Sequence, residues 1–361
     1  EAAGFGHGRD DAGGAGRIAD QQGTGWTTLS LKGTWRPQGA TGAHLVDVGL
    51  QRDLYKLRTR VFDTPDWING SSAAQFSAFA GQTELTSLYA QDTWRLTPSW
   101  LTTLGARFEK WRATEGSISN ASSTLRFDGR DSTAVSPKAA IAYQVTDLWV
   151  LKGSLGRAVR NPTVSELYQG TISTNVVINN DPNLKPEKSW TSELSAEYTL
   201  PTGIARGTFF YEDTKDALYS QTNVTVVPNV TNIQNVDQIR TRGVELAYQA
   251  SDVGMRGLDV QGSVTFADSI ILKNDKFPAS VGKWQPRVPR WRATLLLAWR
   301  QSEAWSYTLG ARYSGRQFSQ LDNSDPNGMA YTGVSRFFVV DARARFRYNK
   351  QWSASLGVDN L

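Results

Sequence analysis

The sequence contains no cysteine, and it has only two histidines and two methionines among its 361 residues. The absence of cysteine excludes disulfides, thiolate metal sites and cysteine nucleophiles together. The two histidines, His7 and His44, are too few for a zinc triad and lack a Ser-His-Asp context. Met255 and Met329 are too few to form a relay of soft ligands for bare copper. We therefore predict a protein that is not an enzyme and has no resident metal or cofactor.

Long apolar runs are also missing, since no stretch approaches the roughly 18 residues that a membrane helix needs. This excludes a helical membrane protein, and the mean hydropathy of −0.42 agrees. A membrane β-barrel remains possible, because only every second residue of its strands has to be apolar. Charged residues make up 20% of the chain and the net charge is +5, which predicts neither disorder nor a nucleic-acid-binding surface.

Alternation of apolar and polar residues is what the sequence has in abundance. Residues 193–198 show it well, because Leu194, Ala196 and Tyr198 alternate with polar neighbours. We count about fourteen such segments of roughly ten residues, the length that crosses a bilayer when a strand is tilted. Residues 1–25 are rich in glycine and aspartate, show no periodicity and are predicted to form a loop.

Short and long connections alternate strictly along this chain of strands. Long polar loops lie between the predicted tight turns, among them one through Trp67 to about Glu84 and one over residues 112–133. A sandwich or a propeller has no reason to sort its loops in this way, whereas an outer-membrane barrel has short periplasmic turns and long extracellular loops. The tight turns are predicted at residues 36–43, 97–99, 146–147, 201–203, 251–257, 300–304 and 349–351.

Aromatic residues fall at both ends of the predicted strands. Trp149, Tyr198 and Trp305 are among those that flank short turns, while Trp190 and Trp291 lie near long loops. Two such layers, one strand length apart, are typical of the aromatic girdles of a membrane barrel. The fold class predicted from these patterns is all-β, a transmembrane antiparallel β-barrel.

Several motifs, in order and at characteristic spacing, carry a resemblance to a known family. They cover most of the chain from about Leu85, and the chain resembles the TonB-dependent receptors of the Gram-negative outer membrane. The motifs are Tyr89–Trp94, Ser136–Lys138, Gly156–Thr163 with Glu166–Tyr168, Asn180–Glu187, Arg240–Leu246, Val288–Arg290 and Gly357–Leu361.

The resemblance implies a 22-stranded barrel whose lumen is filled by a plug domain. Residues 1–361 would then be a partial barrel domain with about fourteen of those strands, and the plug, the early strands and the last strand would be missing. The implied location is the outer membrane of a Gram-negative bacterium, where the protein would be a monomer. The implied partners are TonB (through the missing N-terminal region), outer-membrane lipid, lipopolysaccharide and a small-molecule chelate.

The function implied by the resemblance is active uptake of a scarce ligand into the periplasm, most often a ferric siderophore. A receptor for cobalamin, a carbohydrate or another metal chelate is the alternative within the family. A passive porin-like channel and a soluble β-rich module are alternatives from other classes.

Ligand contacts are expected from aromatic and cationic residues of the long loops, because rings and guanidinium groups suit aromatic or anionic chelates. The candidates are Trp67, Tyr168, Tyr219, Trp284, Arg287 and Tyr331, each with girdle or loop packing as its alternative role. A glycine in the family motif is expected to let the backbone turn in from a loop, and two arginines are expected near the lumen wall or the loop base. The motif residues, expected to be mainly structural, are Arg157, Arg160, Asn161, Pro162, Pro182, Leu184, Pro186, Glu187, Gly243 and Asn360.

Cell fractionation tests the membrane assignment. The protein should sediment with membranes and be released only by detergent, because the predicted strands present a broad apolar face to lipid. Immunoblotting of the soluble, membrane and detergent-extracted fractions measures this. Recovery in the soluble fraction without detergent would contradict the barrel and favour the soluble module.

Overall fold

The computed structural model describes residues 13–172, 176–223, 229–325 and 335–361. These residues are almost entirely β-strand, with one short helix, α1 (Val164–Tyr168), and a 3₁₀ turn at Pro278–Ser280. No described helix is long and apolar enough to cross a membrane. The strands are β1 (Gly16–Asp20), β2 (Gly25–Trp35), β3 (His44–Thr64), β4 (Gln75–Thr97), β5 (Trp100–Asn120), β6 (Thr124–Arg126), β7 (Arg130–Gln144), β8 (Trp149–Arg160), β9 (Thr171–Ile172), β10 (Val176–Asn179), β11 (Glu187–Leu200), β12 (Gly203–Asn223), β13 (Asn229–Ala250), β14 (Leu258–Lys273), β15 (Trp291–Arg300), β16 (Trp305–Ser314), β17 (Phe337–Arg347) and β18 (Ser353–Val358).

The long strands form one antiparallel meander. Each pairs with the next along the chain from β2 to β18, and β8 pairs with β11 across the largest loop. The strands β1, β6, β9 and β10 are short pieces in or beside the long loops, which leaves fourteen long strands of the eighteen described. The predicted fold class and strand number are confirmed.

The connections also follow the predicted alternation. Seven short links join the strands at one end of the meander, which we call the short-turn end, and the long connections lie at the other, the long-loop end. Within the described residues no register joins β2 to β18, so the sheet has two free edges.

Several strands extend much further than the predicted ten residues. β3, β4 and β13 have 21, 23 and 22 residues. Much of the predicted loop that runs through Trp67 to about Glu84, and most of the one over residues 112–133, is strand. The extensions lie at the long-loop end, beyond the exposed apolar band, where the alternation that lipid imposes no longer marks a strand. Residues 16–20 were also predicted to be loop, but they form β1 and pair with β3.

One face of the sheet is apolar and the other is polar. In register, Leu31 lies opposite Leu50, Leu50 opposite Leu88, and Leu88 opposite Phe108. These side chains are exposed, as is Leu194 at 64%, so they form an open apolar band rather than a core. A soluble monomer rarely exposes a contiguous apolar area of this size. We call this side the apolar face and the opposite side the polar face.

Aromatic pairs mark both ends of the apolar band. At the short-turn end the rings of Trp100 and Tyr143 stack at 4.1 Å between centroids. At the long-loop end the rings of Phe266 and Trp291 lie 4.9 Å apart. The two aromatic layers expected from the sequence are therefore present, as amphipathic rings at two interfaces require.

Gly243 has a different role from the one predicted. It was expected to let the backbone turn in from a loop, but it lies within β13, and its φ is not positive. A Cβ at this position would lie 2.1 Å from the carbonyl oxygen of Phe266 and 2.4 Å from the ring of Phe210. The glycine is required because a neighbouring strand and a ring approach its backbone closely.

Substitution of Gly243 by alanine should destabilise the barrel by roughly 1–3 kcal/mol, the usual cost of overpacking a tight site. The measurement is the urea midpoint of unfolding in detergent, with folded protein recognised by its altered gel mobility. Gly310→Ala is the matched control, because the nearest atom to its added Cβ would be 3.9 Å away. Equal midpoints for the two variants would contradict the close approach at Gly243.

Candidate ligand-binding surface at the long-loop end

The loops at the long-loop end cover a buried apolar cluster. The helix α1 contributes most to it, and α1 packs against β3, β4 and β5. A capping box starts this helix, since Thr163 accepts from the Glu166 backbone N–H and the Glu166 carboxylate accepts from that of Thr163. The cluster consists of Leu57, Phe79, Trp111, Ala113, Val164, Leu167, Tyr168 and Leu184.

Tyr168 is part of this cluster and is fully buried, so its predicted role as a ligand contact is wrong. Its ring stacks on Phe127 at 5.3 Å between centroids. Gly81 and Gly116 leave the space for it, because a Cβ at either position would lie 2.6 or 2.5 Å from the ring. Burial raises the pKa of the Tyr168 hydroxyl, which has no hydrogen-bond partner among the described residues.

The motif segment 180–187 is held by hydrogen bonds from distant strands. The Asn235 side chain accepts from the backbone N–H of Lys185 at 2.8 Å and donates to the Lys185 carbonyl at 2.9 Å. The Glu187 carboxylate accepts from the backbone N–H of Leu218 at 2.8 Å. This segment is therefore tied to β12 and β13.

Arg130 ties the same segment to the start of β7. Its guanidinium donates to the carbonyl of Pro182 and, at 3.0 Å, to that of Leu184. Leu184 is fully buried, and Pro186 comes directly before β11. These contacts support the predicted structural role of the segment.

The other motif residues also have structural contacts. The Asn161 side chain accepts from the Ser132 hydroxyl at 3.2 Å, and Pro162 is almost completely buried. Asn360 has φ of +60°, a conformation that asparagine tolerates, and its N–H donates to Asp341 at 3.0 Å.

The two motif arginines lie in different environments. Arg160 lies at the base of the largest loop, as predicted, and its guanidinium donates to Glu166 at 2.5 Å. Arg157 does not lie on the lumen side. It pairs in register with Trp190 on the apolar face and donates to the carbonyl of Val135 at 3.2 Å.

Two of the predicted ligand contacts, Tyr219 and Arg287, meet where the β14–β15 and β16–β17 loops adjoin. The Tyr219 hydroxyl donates to the carbonyl of Pro286 at 3.3 Å, and the Arg287 N–H donates to the carbonyl of Phe318 at 2.8 Å. Arg316 covers the Phe318 ring at 4.6 Å. We call Tyr219, Arg287, Arg316 and Phe318 the arginine–aromatic cluster.

The electrostatics of this cluster favour an anion. Arg287 and Arg316 are both exposed, and neither has an ion pair within the residues that the structure describes. Burial raises the pKa of the Tyr219 hydroxyl, and the charge of Arg287 opposes that shift. The phenol therefore remains neutral, and its proton is used in the hydrogen bond to Pro286.

Of the remaining predicted contacts, Trp284 borders this cluster through Phe318, and no contact joins Trp67 to it within the described residues. The Trp284 ring packs on Phe318 at 5.6 Å and under Arg290 at 4.8 Å, which is loop packing. Trp67 is exposed on the β3–β4 loop, where its N–H donates to Gly14 at 2.9 Å. Tyr331 lies outside the described residues.

Sequence reasoning missed Arg316 and Phe318. They meet the criterion that selected Arg287, a cation or a ring in a long loop, but nothing local shows that their loop returns to Arg287. Over the described ranges, no group of three or more His, Cys, Asp or Glu residues could hold a metal ion.

Comparison with known proteins identifies the family of this barrel. Residues 3–361 match the family model described as TonB dependent receptor-like, beta-barrel. The chain belongs to the TonB-dependent receptors. The barrels of this family lie in the outer membrane of Gram-negative bacteria, so the apolar face contacts lipid and the long loops face outward.

The sequence is also similar to those of individual TonB-dependent receptors. It is 24% identical to the probable TonB-dependent siderophore receptor PiuA of Acinetobacter baumannii, over 78% of this chain and 37% of that protein. The chain spans between 37% and 42% of the length of the curated relatives it matches.

Solved structures of TonB-dependent receptors share the fold. The unliganded ferric citrate transporter FecA superposes with a TM-score of 0.71 at 19% identity, over 96% of this chain and 51% of that one. The copper transporter OprC also gives 0.71, at 18% identity, over 93% of this chain and 51% of that one. Ligands that differ this much show that the fold leaves the ligand open.

Tyr168→Phe tests whether Tyr168 is a core residue. Removal of a buried hydroxyl without a partner should leave stability unchanged or raise it by about 1 kcal/mol, whereas Tyr168→Ala should cost about 3–5 kcal/mol. Urea midpoints in detergent measure both effects. A phenylalanine variant that keeps its stability but loses ligand affinity would restore the ligand-contact role.

Proposed function

We propose that this chain forms the barrel wall and outer loops of a receptor for active, TonB-driven uptake of a ferric siderophore. The relative with 24% identity carries the name of a siderophore receptor, and FecA is named a ferric citrate transporter. The partners that follow are TonB, which would act through a plug domain, and a small anionic chelate.

The arginine–aromatic cluster is the observation that favours this ligand class. Two exposed guanidinium groups, which have no ion pair among the described residues, can each bind an oxyanion with charge-assisted hydrogen bonds. The Phe318 ring adds an aromatic surface under Arg316, and the Tyr219 hydroxyl is held in place by its hydrogen bond to Pro286. Ferric siderophores bind iron through oxygen donors and many carry net negative charge or aromatic rings, which fits this set.

The alternative ligands fit less well. A neutral carbohydrate carries no negative charge that could neutralise Arg287 and Arg316. A copper carrier requires soft ligands, and the chain has no cysteine and only two methionines and two histidines. A passive channel has no support from the relatives, whose names describe receptors and transporters.

Uptake of radiolabelled iron tests the function and the cluster together. In iron-limited cells that carry the complete receptor, uptake of an anionic ferric siderophore should depend on TonB. The double variant Arg287→Gln/Arg316→Gln should bind it at least about tenfold more weakly, because each charge-assisted hydrogen bond contributes about 1.5–3 kcal/mol.

Lys283→Gln is the matched control for this pair. Lys283 is exposed in the same β14–β15 loop and has no ion pair in the described part of the chain. Its variant should bind and transport like the wild type. Equal affinity of the wild type and the double variant, with uptake intact, would reject the cluster and retain the receptor. Uptake independent of TonB, or absent for every ferric chelate, would reject the function.

A further inference from the structure

Three arginines lie in a row on the polar face of β17. They are Arg343, Arg345 and Arg347, all exposed, and the residues between them belong to the apolar face because strand side chains alternate. At about 3.3 Å per residue, the Cα atoms of the first and the last are roughly 13 Å apart. Arg347 is the last residue of the strand, so the row runs down to the short-turn end. We call these three residues the arginine row.

The neighbouring strands supply no negative charge to the arginine row. Arg345 lies in register between Ser306 of β16 and Ser355 of β18, and the residues opposite Arg343 and Arg347 are also uncharged. None of the three arginines forms an ion pair within the described ranges. Three like charges on one face of a strand repel one another, so a bound anion would stabilise them.

The nearest carboxylate along β17 is already paired. Asp341 lies two residues before Arg343, and its carboxylate is 3.1 Å from the Arg312 guanidinium, just as Lys152 and Glu197 lie 3.0 Å apart on the same face. The positive charge of β17 therefore increases from Asp341 toward the short-turn end.

A pocket of about 740 Å³ opens at the lower end of the arginine row. The β13–β14 and β15–β16 turns form its other walls and bring Arg256 and Arg300 beside Arg345 and Arg347. The Arg300 guanidinium donates two hydrogen bonds to Asp259, whereas Arg256 has no ion pair in the described part of the chain. Its volume is in the range of small-molecule sites, about 300–1,000 Å³. We call it the inner pocket.

Two carboxylates also line the inner pocket, but neither neutralises its arginines. Asp252 stabilises its own turn, because its carboxylate accepts from the backbone N–H of Gly257 at 2.5 Å. Glu303 is exposed, and no described basic group lies within ion-pair distance of it. The pocket therefore offers the donors of Arg256, Arg345 and Arg347 to an oxyanion, with Glu303 as the group that opposes its binding.

The position of the inner pocket in the membrane indicates when a ligand would meet it. The long loops face outward, so the short-turn end lies at the periplasmic mouth of the barrel. The arginine–aromatic cluster and the inner pocket are therefore at opposite ends of the molecule. An anion that enters at the first and follows the polar face downward reaches the arginine row before it leaves.

We propose that the arginine row and the inner pocket form a second binding site, at the periplasmic mouth, for the anionic chelate as it leaves the lumen. Successive guanidinium groups bind the oxygen atoms of the chelate with charge-assisted hydrogen bonds and hand it from Arg343 to the pocket. This inference rests on the proposed uptake function and adds an exit site to it.

A local probe in the complete receptor tests the site. This chain has no cysteine, so Gln301→Cys, in a receptor without other cysteines, places one fluorophore at the edge of the pocket. Ferric citrate, whose paramagnetic iron quenches a nearby dye, should quench it saturably in detergent solution. Arg345→Gln/Arg347→Gln should raise the concentration for half-maximal quenching at least about tenfold, since each charge-assisted bond contributes about 1.5–3 kcal/mol. A dye at Ser99→Cys, in the β4–β5 turn, should show no saturable quenching.

Three controls separate this site from net charge and from folding. Arg36→Gln/Arg95→Gln removes two exposed arginines from the same end of the sheet, outside the pocket, and should behave like the wild type. Glu303→Gln should lower the half-maximal concentration severalfold, an effect of opposite sign that a folding defect would not produce. A neutral ferric trihydroxamate should not quench the Gln301→Cys dye saturably.

Uptake of radiolabelled iron by cells gives the second readout. The Arg345→Gln/Arg347→Gln variant should bind the chelate at the cell surface like the wild type but take it up several times more slowly. Failure of TonB-dependent uptake by the wild type would reject the proposed function, and quenching without uptake would reject the role of this site in transport. Normal wild-type uptake without quenching would reject the inner site alone.

Two further results would overturn the proposal. Equal quenching in the wild type and in Arg345→Gln/Arg347→Gln would show that the arginine row does not bind the chelate, and weaker quenching in Arg36→Gln/Arg95→Gln would show an effect of net charge. If millimolar inorganic phosphate abolishes quenching in the wild type, the pocket binds periplasmic anions in general and its assignment to the chelate is wrong.

Discussion

The requirement that backbone polar groups be hydrogen-bonded inside lipid governs this structure. A bilayer core has no water to satisfy an N–H or C=O group, so a segment that crosses it must be bonded along its whole length. The unbroken register from β2 to β18 meets that requirement for the strands between its two edges. Successive strands must cross the bilayer in opposite directions, which requires turns between them. Each strand also meets lipid on one face only, so apolar and polar residues alternate along it, and aromatic residues lie at both ends.

The membrane-spanning part of the strands could be predicted from the sequence, because lipid requires every second residue there to be apolar. Leu194, Ala196 and Tyr198 lie on the face that contacts lipid, where apolar side chains are required. The alternation of apolar and polar residues was therefore enough to locate β11. Above the membrane that rule ends. The upper halves of β3, β4 and β13 lie beyond the apolar band, and some of their residues, such as Leu57, Phe79 and Val236, pack into buried clusters instead. The alternation that lipid imposes therefore no longer separates a strand from a loop there.

The candidate site was only partly predictable for a related reason. Tyr168 and Tyr219 look alike in sequence, as aromatic residues near long loops. Tyr168 is core because Gly81 and Gly116, distant in the chain, leave room for its ring, whereas Tyr219 reaches the Arg287 loop. Arg316 joins that loop through the backbone of Phe318. Such juxtapositions depend on how the loops return onto one another, which local composition does not encode.

The hydrogen bonds between Asn235 and Lys185 have a consequence for sequence variation. The asparagine amide contacts only main-chain atoms of its partner, so almost any side chain is compatible with the bond at position 185. At position 235, by contrast, a residue must supply both a donor and an acceptor at a fixed distance from the backbone. Homologous sequences should therefore drift freely at the lysine while the asparagine changes rarely, although both belong to one contact.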